Sequence, residues 1–117
     1  SVLKQAYPSG QNIDGELVDL LYQPTKRNGA AEAFRGFINL FDDHLAPQLM
    51  ENLEIPVDLI WGEKDPWEPL KEAENWSLTI PCIQSINIIL KVGHCAHDEA
   101  PNEVNKVLTK LIKTTRK

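Results

Sequence analysis

The sequence predicts an α/β fold: a helical N-terminal half, residues 1–54, followed by a βαβα unit, residues 55–117, whose two strands run parallel. Two observations carry this. The apolar spacing switches near Ile55 from a helical period to short β-type runs. Beyond that point the order is strand, helix, strand, helix. A helix between two strands is a crossover connection, which makes the strands parallel.

Taken in order, Ile13 to Tyr22 reads as a short helix with Asp14 as N-cap, Leu17, Leu20 and Leu21 on one side, and Pro24 beyond its end. A turn at Lys26, Arg27, Asn28 and Gly29 follows. Next, Ala30, Ala33, Phe34, Phe37, Ile38 and Phe41 fall at the i, i+3, i+4, i+7, i+8, i+11 positions of an amphipathic helix. Pro47 to Asn52 reads as a helical turn. Val57, Asp58, Leu59, Ile60 and Trp61 form a buried strand closed by Gly62 and Pro66. Leu70 to Leu78 is helical, and Ser85 to Leu90 is a second strand ended by Gly93. Val104, Val107, Leu108, Leu111 and Ile112 make a closing helix with Pro101 near its start.

Composition narrows the class. With 117 residues, 42% of them hydrophobic, the chain holds one domain at most and has the means to build a core. The net charge of −5 is spread along the chain. Its one basic cluster, Lys110, Lys113, Arg116 and Lys117, suits the negative end of a last helix, which argues against a nucleic-acid partner. No apolar stretch has the length of a membrane span or of a signal peptide. Cys82 and Cys95 form neither a disulfide framework nor a CxxC pair, so a reducing, intracellular compartment is the default. The chain opens at Ser1 and its sole methionine is Met50, which reads as a longer protein lying upstream.

In parallel sheets, ligands and catalytic groups gather at the carboxyl ends of the strands. Here that edge carries Gly62-Glu63-Lys64-Asp65-Pro66-Trp67-Glu68-Pro69 and Val92-Gly93-His94-Cys95-Ala96-His97-Asp98-Glu99. Strands about 5 Å apart bring an acid and a histidine at such ends within reach of each other. A carboxylate there accepts the imidazole Nδ1 proton, fixes the tautomer and stabilises the imidazolium. Taken by itself, Asp65 reads at least as well as a turn residue in a Gly/Pro-rich loop.

Ile55 to Pro69 together with Val92 to Pro101 resembles the last two strand-loop units of the α/β hydrolases. Within that family the resemblance is to the plant, algal and cyanobacterial group that includes pheophytinase-like enzymes, with relatives among haloalkane dehalogenases and carbon–carbon bond hydrolases. Gly-Glu-x-Asp-Pro-Trp joined to Gly-His-Cys-x-x-Asp-Glu is more specific than either loop alone. The resemblance implies that Asp65 is the triad acid and His94 the base, and that the helices between Asp14 and Phe41 belong to a helical cap. One family feature is missing: no serine sits in a Gly-x-Ser-x-Gly elbow, and Ser9-Gly10 lacks the preceding glycine and the strand. The nucleophile and the oxyanion loop are thus expected outside this chain.

Each of these residues also has a rival reading. His97 competes with His94 as base, and His94 itself suits a structural bond to a backbone carbonyl. His94, His97 and Asp98 with Glu63, Asp65 and Glu68 offer nitrogen and oxygen ligands for a metal, but His-x-x-His here falls in an irregular loop with no helical face, and no metal site is expected. Cys95 reads as a packed thiol rather than a nucleophile. Trp61 reads as core. Trp67 divides between packing under the catalytic edge and lining a substrate pocket, and Phe34, Phe37, Ile38 and Phe41 between cap packing and substrate wall; Trp67 and Phe37 are the candidate substrate contacts.

The reading that follows is the C-terminal part of an α/β hydrolase that cleaves an ester, or a similarly activated bond, in a hydrophobic substrate. It needs no cofactor, and a plastid location follows from the resemblance only. Its expected partner is the N-terminal part of the same hydrolase, or a second copy, joined along the strand edge Val57 to Trp61. The competing class is a non-catalytic interaction or scaffold domain derived from a hydrolase.

Overall fold

The computed structural model describes residues 2–40 and 45–115. Four helices come first: α1 (Val2–Ala6), α2 (Gly15–Tyr22), α3 (Ala30–Leu40) and α4 (Leu45–Met50), with a 3-10 turn, Gln23–Lys26, between α2 and α3. The βαβα unit follows as β1 (Val57–Gly62), α5 (Leu70–Thr79), β2 (Ile83–Ile89), a short α6 (Ala96–Glu99) and α7 (Pro101–Thr115). Asp14 caps α2 as expected, accepting the Leu17 N–H at 2.8 Å. Phe41, Arg116 and Lys117, assigned above to the amphipathic helix and the basic cluster, lie outside the described residues.

The two strands pair parallel, and helices cover both faces. Side chains alternate along a strand. On β1, Val57 and Leu59 meet Ile80, Cys82, Ile83 and Trp76 of the α5 side, while Ile60 meets Ile89, Val92, Ala96 and Val104 of the α7 side. Trp61 packs edge-on against Trp76, ring centres 5.8 Å apart.

A register shift makes both faces work. Val57 pairs with Ile83 but Asp58 pairs with Ser85, so Gln84 is an extra residue. Without it, Ile83 and Ile89 would share one face. With it, Ile83 joins the α5 cluster and Ile89 the α7 cluster. The same shift brings Ser85 opposite Asp58, and the Ser85 hydroxyl donates to that carboxylate.

Two expectations need correction. The second strand starts at Ile83 rather than Ser85 and stops at Ile89, with Leu90 already in a turn. The stretch after Gly93 is not irregular throughout: Cys95 O accepts from Asp98 N at 3.0 Å and Glu99 N at 2.8 Å, closing the helical turn α6 with His97 on it.

Candidate active site

Both strands end at the same edge, and their main chains are tied there. Glu63 N donates to Ile89 O at 2.9 Å and Lys64 N to Val92 O at 2.8 Å. Lys91, in the left-handed region at φ 65, gives its N–H to the Glu63 carboxylate at 2.8 Å. The closest approach is at the glycines. A Cβ on Gly62 would run into the Gly93 carbonyl oxygen, and one on Gly93 into the Pro8 ring and the Ala6 carbonyl.

On this frame Asp65 uses its two oxygens separately. Oδ1 accepts the N–H groups of Trp67 and Glu68, each at 3.0 Å, which is the turn role its loop suggests. Oδ2 lies 2.8 Å from His94 Nδ1. The Asp65 side chain is 6% exposed and that of His94 41%, so a shielded carboxylate holds a solvent-accessible imidazole. Trp67 stands edge-on to the His94 ring at 4.9 Å between centres, and Trp61 Nε1 donates to Glu68 O at 2.9 Å, bracing the Asp65 loop from beneath. An imidazole with Nδ1 on a carboxylate keeps Nε2 for taking up a proton.

Beside the pair a cleft of about 370 Å³ is lined by Ile60, Trp61, Asp65, His94, His97 and Leu108 among others. His97 borders this cleft and is not the histidine on Asp65. Asp98 and Glu63 are turned to other partners, Tyr7 and Lys91. Among the described residues no three His, Cys, Asp or Glu side chains are grouped to hold a metal ion.

No family model matches the chain. It superimposes with a TM-score of 0.81 on the crystal structure of CarC, a serine hydrolase involved in carbazole degradation, at 19% identity, over 97% of this chain and 45% of that one. A second match is MGS-MChE2, an α/β hydrolase from the metagenome of sediments of the Mar Chica lagoon, Morocco, with a TM-score of 0.70, 24% identity, and 88% and 47% coverage. The chain carries part of the α/β-hydrolase fold. In sequence it is similar to the uncharacterized hydrolase YugF of Bacillus subtilis strain 168, 26% identical over 102 residues, which are 86% of this chain. It spans 37% of that relative's length, and so about a third of it.

Within this partial α/β-hydrolase fold, Asp65, His94 and Trp67 come together at the strand edge. Phe37 does not join them: it stands on α3, 59% exposed, and is not among the residues lining the cleft. Glu99 and Tyr7 join the site with no signal in the sequence. Glu99, 1% exposed, accepts the Gly93 N–H at 2.7 Å and the Ser9 N–H at 2.7 Å. Tyr7 also docks here, donating its hydroxyl to Asp98 at 2.8 Å; burial first, and then that bond, push its phenol well above the ordinary value. His94 N–H donates to Ala6 O at 3.0 Å. Sequence spacing has no signal for bonds between segments some 90 residues apart.

Proposed function

We propose that the chain is the C-terminal segment of an α/β-fold hydrolase and supplies its acid and base. The observation that carries this is the 2.8 Å contact of His94 Nδ1 with the shielded Asp65 carboxylate, at the shared end of two parallel strands. In this reading a nucleophilic hydroxyl from the missing part of the fold attacks the substrate carbonyl carbon. His94 Nε2 takes the hydroxyl proton and returns it to the leaving oxygen, and water then repeats the exchange to release the acid. Asp65 fixes the tautomer and stabilises the imidazolium. A serine is the proposed nucleophile, in keeping with the serine hydrolase CarC.

Residues 1–54 act in this reading as part of a cap over the strand edge. Supporting it, Leu20, Leu21, Tyr22, Phe34, Phe37 and Ile38 leave a largely apolar surface exposed on α2 and α3, suited to a hydrophobic substrate or to the rest of the enzyme. Trp67 is the proposed substrate contact beside His94, and Phe37 a contact from the cap. The ester class, the pheophytinase-like kinship and a plastid location rest on sequence resemblance alone.

The test is made in the parent polypeptide, assayed on aryl esters. His94→Ala and Asp65→Asn are each expected to lower kcat by about four orders of magnitude, while this chain alone is expected to be inert. A parent that turns over equally well without His94 defeats the acid–base reading. A parent without any nucleophile elbow favours the scaffold alternative.

A further inference from the structure

The deepest charged side chain among the described residues is not the acid of the pair but Glu99, at 1% exposure. Its oxygens divide between two segments: Oε2 accepts from Gly93 N and Oε1 from Ser9 N, both at 2.7 Å. The next amide, His94 N, donates to Ala6 O at 3.0 Å. The two amides leading into the imidazole are therefore both fixed, one by Glu99 and the other by the segment that Glu99 holds. Gly93 also abuts Pro8 and Ala6 with no room for a Cβ. Turning the 93–94 backbone would strand a buried carboxylate and open the Ala6 contact together.

We propose that Glu99 is a positioning residue that couples the docking of residues 6–9 to the seating of His94 on Asp65. This rests on the acid–base reading of that pair. The chemistry explains why the residue is a glutamate. Two N–H groups converge on it, and only a carboxylate meets both with acceptors. Glutamine has the same shape but turns an NH2 group toward one of the two donors, leaving buried donors face to face. A side chain that merely filled space would be replaced by glutamine without consequence.

The experiment is NMR on this chain, reading the ring-nitrogen shifts of His94, which report the nitrogen that carries the proton. The wild type is expected to hold the Nδ1-protonated form, and Glu99→Gln to lose that preference into a mixture of tautomers. Asp65→Asn separates the two ideas. If it leaves the His94 tautomer unchanged, the acid–base reading fails; if it shifts the tautomer while folded Glu99→Gln does not, the positioning role alone is overturned. Should Glu99→Gln not fold, amide exchange in the wild type decides: Ser9 and Gly93 are expected to be protected and to exchange at a common rate. A Ser9 amide exchanging as an open one, with Gly93 still protected, overturns the coupling.

Discussion

At the scale of single residues, the site depends on how closely two backbones meet. Gly62 faces the carbonyls of Gly93 and, at 2.8 Å from where a Cβ would stand, Val92; the Val92 carbonyl is tied to Lys64 N at 2.8 Å and Gly93 is wedged against Pro8, so neither has much freedom to retreat. Gly62→Ala is therefore expected to cost about 1–3 kcal/mol, as overpacking does, measured by urea unfolding, and to spread the Asp65 and His94 loops. A stability equal to wild type would show that the loops slide apart freely. Asp65 illustrates what the sequence can tell. Both readings of it, turn residue and partner of His94, describe the structure, because each oxygen serves one of them. Glu99 illustrates the opposite. An acidic residue beside Asp98 in a polar stretch looks solvated, yet it is buried and accepts from Ser9 N and Gly93 N, two partners far apart in the chain.

Among elements, the longer helices were legible: α2, α3 and α5 stand within a residue or two of their sequence readings, and α7 encloses the apolar run Val104 to Ile112, opening at Pro101 and extending to Thr115. α6 was not, since four residues, Ala-His-Asp-Glu, are too few to show a period. The strand register was hidden as well, because the extra residue Gln84 is recognised only against its partner strand. The segment joining α1 to α2 adds a pH dependence through Tyr7. Its phenol is raised above an ordinary value of 10.0, first by burial and then by Asp98. A raised value means that the folded chain keeps a proton the unfolded chain gives up. Its stabilisation is therefore full below about pH 10 and is lost as the pH climbs beyond it. Tyr7→Phe is expected to be less stable than wild type near about pH 8, with the gap narrowing at about pH 11; a gap that widens would reverse the sign and disprove the account.

For the whole molecule, the dimensions are extended for a chain of this length. The radius of gyration is 16.3 Å and the extents are 45 × 32 × 26 Å, against about 13 Å for a compact chain of this size. The sheet of the described residues has two strands, so the far edge of β1 has no strand neighbour among them. Open edges seek partners. The isolated chain is expected to associate along Val57 to Trp61, giving a light-scattering mass above 13.2 kDa that grows with concentration. A constant mass of 13.2 kDa with slow amide exchange along β1 would show that the chain closes its own edge. The seat of Tyr7 on Asp98 also sets an order of events in folding. That contact closes 91 residues of chain, where Asp65 and His94 close 29. The longer closure costs roughly 1 kcal/mol more in chain entropy, so the two strands are expected to pair first and the N-terminal segment to arrive afterwards, completing the seating of His94. In the reverse direction it is the first to leave, and the Tyr7→Phe defect then appears as faster unfolding with an unchanged folding rate.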